Sequence, residues 1–249
     1  MISDLSQITV AILAGGLGTR LRTAISDRPK VLAPVKGRPF ITYLLDYLYA
    51  LSVRHVVLLT GYLGEMVKDA LGLRWKDMEI SYSKEELPLD TGGAIRKALP
   101  FLGNSPVLVL NGDSFCPIDI DPFLSMHTKV NSSATILLTY VQDISRYGRV
   151  RLHSDGSIVD FLEKSPNPIS GWINAGVYFL NKNIINEINP NKKVSLERDV
   201  FPRLVGKGLH GYKCPAPFID IGLPETYHQA EGFIADLKSG EYKYEYFGI

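Results

Sequence analysis

Apolar residues recur along this chain in two rhythms. In the first half, short β-favouring runs alternate with segments whose apolar positions fall at helical spacing. Val10-Ala11-Ile12-Leu13 is the first run and reads as a buried strand. The spacing predicts a helix from Phe40 to Tyr49, a strand from Arg54 to Thr60, and a second helix from Tyr62 to Leu71. Met78 to Tyr82 then reads as a short strand and Pro106 to Leu110 as a buried one. This alternation predicts a largely parallel sheet flanked by helices, with ligands at the carboxyl ends of its strands. From Ala134 the rhythm changes. Ala134 to Tyr140, Gly148 to Leu152, Ser157 to Leu162 and Trp172 to Leu180 read as successive strands, with turn residues such as Asp155-Gly156 between them. They predict an antiparallel portion.

Composition narrows the picture. With 249 residues and 45% hydrophobic content, the chain can bury a substantial core, as one α/β domain or one with a small lobe inserted. Its 27 basic and 26 acidic residues nearly cancel, so no global field draws in nucleic acid or a membrane surface, and any attraction for phosphate must be local. The N-terminus carries Asp4 and lacks a signal-type basic region, and no apolar run reaches membrane-spanning length. A cytoplasmic protein is expected. Cys116 and Cys214 stand far apart without metal-ligand spacing and read as ordinary buried thiols. The sequence shows no internal repeat and no low-complexity tract.

The first strand breaks into Ala14-Gly15-Gly16-Leu17-Gly18-Thr19-Arg20-Leu21, with three glycines in four positions, and Pro29-Lys30 follows. Backbone N–H groups in such a turn form a concavity for anions, and Arg20 and Lys30 add positive charge for the outer phosphates of a nucleotide. The dinucleotide fingerprint would need glycine at Leu21, and the P-loop would need Gly-Lys-Ser/Thr where Thr19-Arg20-Leu21 stands, so neither fits. A second glycine element, Leu87-Pro88-Leu89-Asp90-Thr91-Gly92-Gly93-Ala94, opens an amphipathic segment with Thr91 as its expected N-cap. Asp113 in Asn111-Gly112-Asp113 and Asp220 in Phe218-Ile219-Asp220-Ile221-Gly222-Leu223-Pro224-Glu225 each place an acid at the end of an apolar strand. Two carboxylates with phosphate oxygens are sufficient ligation for Mg²⁺.

The signature G-G-x-G-T-R-L…P-K resembles that of the sugar-1-phosphate nucleotidyltransferases, and further motifs of that family follow in order from Ala14 to Glu225. The resemblance implies a Rossmann-like nucleotide-diphospho-sugar transferase fold with a mixed, mostly parallel central sheet and a small antiparallel sugar-binding portion. It implies one domain over 1–249, with about 1–130 for the nucleotide and about 131–249 for the sugar phosphate. Leu13, Ala14, Gly15, Gly16, Gly18, Thr19, Thr91, Gly92, Asn111 and Gly112 would meet the nucleotide. Arg20 would serve the β- and γ-phosphates, Lys30 the reacting centre, and Asp113 with Asp220 the Mg²⁺ ion.

Phe161-Leu162-Glu163-Lys164 and Ile173-Asn174-Ala175-Gly176-Val177-Tyr178 resemble the family's sugar-phosphate elements. They assign Glu163 and Asn174 to sugar hydroxyls and Lys164 to the incoming phosphate, with Gly148 in Tyr147-Gly148-Arg149-Val150 as a further wall. Asp90 departs from the pattern, since glycine is usual there; its carboxylate either points outward or contacts the base. The five histidines fall outside these motifs.

Within the family, Pro88-Leu89-x-Thr91-Gly92-Gly93-Ala94 and the short C-terminus resemble the compact bacterial D-glycero-D-manno-heptose 1-phosphate guanylyltransferases of surface-polysaccharide synthesis. That branch implies GTP and the heptose phosphate as substrates. Other pairings of a sugar 1-phosphate with GTP, CTP, UTP or dTTP stay open, as does a non-catalytic nucleotide-sugar-binding regulator. A dehydrogenase is disfavoured by the failed fingerprint. The segment from Lys238 to Phe247 alternates aromatic and charged residues over its last part and suits an edge strand or the contact of a homodimer.

Overall fold

The computed structural model describes residues 5–16, 18–21, 23–103, 106–145, 147, 149–162 and 169–239. Gly148, Glu163, Lys164 and most of the C-terminal alternating segment lie outside these residues. A ten-stranded mixed sheet forms the centre. Its strands are β1 (Val10–Leu13), β2 (His55–Thr60), β3 (Arg74–Trp75), β4 (Met78–Lys84) and β5 (Val107–Asn111) in the first half. The second half adds β6 (Ala134–Val141), β7 (Arg149–Leu152), β8 (Ile158–Leu162), β9 (Gly171–Leu180) and β10 (Leu209–Lys213).

β1, β2, β4 and β5 make a parallel block in the order β4-β2-β1-β5. The chain runs outward from β1 through β2 to β4, then returns to the other side of β1 as β5. The strand order therefore reverses between β1 and β5, where a crevice opens at the carboxyl rim. Leu13 pairs with Leu59 on one side and with Asn111 on the other, so the loops after β1, β2 and β5 meet at that rim. The apolar runs of β1 and β5 are buried nearly throughout, as parallel strands covered on both faces require.

The antiparallel portion continues from β5. β9 pairs with β5 over Val177–Leu180 and with β7 at Ile173, so one of its edges changes partner midway. Its other edge pairs with β6 from Gly171 to Leu180, with a register shift between Asn174 and Tyr178. β10 lies parallel to β6.

Helices cover both faces. α1 (Ile41–Ala50), α4 (Ile120–Lys129) and α7 (Pro224–Ser239) pack one face through residues such as Leu44, Phe123 and Ile234. α3 (Asp90–Lys97), α5 (Lys182–Glu187) and α6 (Phe201–Leu204) pack the other through Ile95, Ile185 and Phe201, while α2 (Gly64–Leu71) joins β2 to β3. On α1 the residues from Ile41 to Leu48 are buried, and the Tyr47 hydroxyl donates to the Ile118 carbonyl at 2.5 Å. Observed elements agree with the expected ones apart from their ends, with one correction. Thr91 is not an N-cap: α3 begins at Asp90, with Leu89 in the cap position. The Asp90 side chain accepts the Thr91 N–H at 2.8 Å, so the capping bond comes from the residue before.

Candidate active site

Two main-chain bonds hold the glycine loop at the crevice. Ala14 N–H donates to Leu59 at 2.8 Å, and Gly112 N–H donates to Leu13 at 2.9 Å. Among the described residues, no main-chain carbonyl takes the N–H groups of Gly15 or Gly16. Gly15 is closely packed: a Cβ there would stand 2.9 Å from Glu85 Oε1 and 3.2 Å from Gly61 N, so both neighbours would have to give way. Buried Leu21 anchors the short turn Thr19–Leu21 and leaves Arg20 exposed. Likewise, buried Val31 and Leu32 anchor the turn that carries Lys30.

These elements enclose a cavity of about 440 Å³. Leu13, Ala14, Gly15, Gly16, Gly18, Thr19, Arg20, Lys30, Thr91, Asn111 and Asp113, all expected at the site, line it. Two expected residues act from behind the wall. Gly92 N–H donates to the Val194 carbonyl at 2.8 Å, and Gly112 makes the bond to Leu13 already described. The cavity also holds Glu85, Asp90 and Lys193. Glu85 is half-buried and accepts the Leu89 N–H at 3.0 Å; burial pushes its carboxyl above the usual range, partly offset by that bond. Asp90 has a left-handed φ of 61° and accepts from the Arg198 guanidinium at 2.5 Å, so its carboxylate is tied to the protein rather than pointing freely outward.

At the cavity's mouth the two expected metal-binding acids meet. A two-stranded ribbon pairs Asp220 with Ser114 and Ile219 with Phe115, and Ile221 N–H donates to the Asp113 carbonyl at 2.9 Å. Lys30 Nζ lies 2.5 Å from Asp113 Oδ2 and 3.6 Å from Asp220 Oδ1, with only 10% of its side chain exposed. Burial raises the Asp220 carboxyl above its ordinary range, and the Asp113 charge adds to the rise; Lys30, the Gly222 N–H and Arg20 offset it in part. Two carboxylates thus share one ammonium. The described residues contain no cluster of three or more His, Cys, Asp or Glu arranged for a metal. The pair Asp113 and Asp220 nevertheless suits a hard cation that draws its remaining ligands from phosphate and water.

Asn174, expected to meet the acceptor sugar, is half-buried on β9 beside the register shift and does not line the cavity. Its Oδ1 accepts the Gly176 N–H at 2.8 Å, and its Nδ2 donates to the Tyr178 hydroxyl at 3.0 Å. Gly176 has φ 73°, and a Cβ there would lie 2.5 Å from Asn111 Nδ2, which excludes any larger residue. Tyr178 is fully buried and donates to Glu197 Oε1 at 3.0 Å. Burial and the Glu197 charge push the Tyr178 phenol well up. Lys193 and Glu197 carry no glycine or strand-end signal that would single them out in the sequence. Glu85 directly follows β4, beyond the shorter strand expected there, and Tyr178 closes the Asn174 motif, which by itself assigns it no role.

The nucleotidyl transferase family model matches residues 9–236. Over 88% of its length the chain is 37% identical to the D-glycero-alpha-D-manno-heptose 1-phosphate guanylyltransferase of Aneurinibacillus thermoaerophilus, covering 95% of that protein. It is 35% identical over 94% of its length to the mannose-1-phosphate guanylyltransferase of Mycobacterium tuberculosis, covering 66% of it. Among solved structures, that of HddC from Yersinia pseudotuberculosis complexed with GMP-PN superposes with a TM-score of 0.81 at 33% identity. The match covers 91% of this chain and 99% of that one.

Proposed function

Because this chain belongs to the nucleotidyl transferase family, we propose that it joins GTP to D-glycero-D-manno-heptose 1-phosphate. The products are a nucleotide-diphosphate sugar and pyrophosphate, and the reaction serves surface-polysaccharide synthesis. One observation carries the reaction type: Lys30, Asp113 and Asp220 converge beside the cavity that the glycine loop and Arg20 line. Similarity to the heptose and mannose enzymes supports the guanylyl and manno-configured reading.

The acceptor already carries an anionic phosphate oxygen, so attack on the α-phosphorus needs no general base. The difficulty is charge: two polyanions must be aligned and the leaving pyrophosphate stabilised. Arg20 serves the β- and γ-phosphates, the Gly15 and Gly16 N–H groups cradle phosphate oxygens, and Lys30 faces the reacting centre. Asp113 and Asp220 hold Mg²⁺, which when bound supplies charge neutralisation and orientation of the phosphates. Lys164 takes the incoming phosphate, while Glu163, Asn174 and Gly148 meet the sugar. Glu85 gives the cavity a means of reading the base. Guanine presents N1–H and N2–H donors that a carboxylate accepts, whereas the corresponding edge of adenine presents an acceptor at N1 and is rejected.

No helix among the described residues is long and apolar enough to cross a membrane, and we place the reaction in the cytoplasm, where nucleoside triphosphates are made. A homodimer is compatible with this reading. The test is pyrophosphate release with Mg²⁺, pairing GTP, CTP, UTP, ATP and dTTP in turn with heptose, mannose and glucose 1-phosphates. Release confined to GTP with the heptose phosphate is the expected result. Release with GTP and mannose 1-phosphate alone would replace the acceptor and keep the mechanism, and no release from folded protein with any pair would overturn the assignment.

A further inference from the structure

Glu197 does not line the nucleotide cavity, yet three hydroxyl groups converge on it. Thr91 Oγ1 and Ser195 Oγ donate to its Oε2 at 2.8 and 2.9 Å, and the Tyr178 hydroxyl donates to its Oε1 at 3.0 Å. The direction of each bond is fixed by a main-chain group farther out. Leu196 N–H donates to Thr91 Oγ1 at 2.8 Å, and Arg198 N–H donates to Ser195 Oγ at 3.2 Å. An N–H can only donate, so each hydroxyl accepts on that side and keeps its proton for the Glu197 carboxylate, which can only accept.

The third arm follows the same logic one step longer. Gly176 N–H requires an acceptor, which makes the facing atom of Asn174 its carbonyl oxygen and puts the amide nitrogen against Tyr178. Tyr178 therefore accepts from Asn174 and passes its own proton to Glu197. A carboxylate accepts from all three arms at once; a carboxamide offers one accepting oxygen and would turn the other arm or arms from donor to acceptor.

The geometry points to Glu197 as the positioning residue for the acceptor site, setting through Tyr178 which face of the Asn174 amide meets the sugar and tying that setting through Thr91 to the start of the helix at the nucleotide cavity. This inference rests on the reading of Asn174 as an acceptor-binding residue. One N–H of the Asn174 amide is used on Tyr178, and its second N–H is the group offered to a sugar oxygen. The acceptor site thereby presents a fixed donor, and the sugar atom that meets it must be an acceptor. Glu197 sits in a five-residue π-helical turn, Leu196–Val200, a local irregularity that often accompanies functional sites. That turn brings Ser195, Glu197 and the Arg198 N–H into one small cluster.

The test uses the full chain and whichever nucleotide and sugar 1-phosphate pair supports the fastest pyrophosphate release, with the KM of each substrate measured separately. Tyr178→Phe keeps the ring and removes the relay; it should raise the KM for the sugar 1-phosphate about tenfold, and that for the nucleotide by a smaller factor because the same hydroxyl also bonds the Asn111 side chain at the nucleotide cavity. Glu197→Gln should raise both, since it also releases Thr91. In an Asn174→Ala background, Tyr178→Phe should add nothing to the sugar KM, because its effect has already been removed. If Tyr178→Phe leaves the sugar KM unchanged, or adds its full effect on top of Asn174→Ala, the positioning role is overturned. Should Glu197→Gln fail to fold, Glu197→Asp, which keeps the charge but draws it back from the Tyr178 hydroxyl, should still raise the sugar KM; a wild-type sugar KM in a folded Glu197 variant would overturn its positioning role. If Asn174→Ala alone leaves the sugar KM unchanged, the acceptor reading of Asn174 fails instead, and the inference falls with it.

Discussion

Asp46 and Asp220 are both acids drawn partly into the protein beside cations, and they are held in opposite ways. Asp46, on α1, accepts from the Arg38 guanidinium at 2.6 Å and the Trp75 indole at 3.0 Å, with Lys76 Nζ at 3.3 Å. Burial pushes its carboxyl up, but Arg38, Trp75 and Lys76 together outweigh that and hold it below the usual range. Asp220 also suffers burial, gains a second carboxylate as neighbour, and shares its ammonium with Asp113, so its carboxyl rises. Donor supply, more than burial, separates the two. Around Asp46 donors are in surplus and the cluster is complete within the protein. Around Asp113 and Asp220 positive charge is short, which suits the cation proposed to bind there.

Breaking each cluster should expose this difference. The largest effect belongs to the Asp113 and Asp220 pair: Asp113→Asn or Asp220→Asn should lower turnover about a hundredfold or more, with the far-ultraviolet circular dichroism unchanged. Near-normal turnover in both variants would remove the metal assignment. Asp46→Asn should do the reverse, leaving turnover intact and lowering stability by roughly 1–2 kcal/mol in urea unfolding, since Arg38 and Lys76 can still reach water.

A smaller effect separates the two acids by pH. A carboxyl held low in the folded state stabilises above its unfolded value and loses that contribution on acidification. The stability deficit of Asp46→Asn should therefore be full at pH 7 and shrink as the pH falls through and below about 4. For a raised carboxyl the sign reverses, because the folded state then prefers the proton. With EDTA present, Asp220→Asn should melt slightly above the wild type at pH 7, and this gain should vanish in acid. A deficit at pH 7 would show that Lys30 overcompensates the pair.

Much of this arrangement is legible in the sequence because its parts are local. A strand that ends in glycines, as at Leu13 and Asn111, writes its meaning into a few consecutive residues, and so does an acid at a strand's end such as Asp220. Glu85 and Glu197 are written differently. Glu85 follows Lys84 and precedes Glu86, and Glu197 stands in Leu196-Glu197-Arg198-Asp199; both stretches read as solvated charge. Their roles arise only when the chain brings distant partners together, as Thr91 reaches Glu197 across 106 positions. The start of α3 was displaced for the same reason: Asp90 accepts a left-handed backbone while its carboxylate is held by Arg198, a contact no local pattern announces.

The change of partner along one edge of β9 has a consequence for how this architecture diversifies. Its later half is locked to β5, and so shares the frame of the nucleotide crevice; its earlier half looks toward β7 and the ribbon that β7 forms with β8. The strand acts as a seam between two fabrics. On the proposed reading, the outer cloth can be recut for another sugar without unpicking the stitches at the nucleotide crevice. Kinship between enzymes for different acceptors is what such a seam permits.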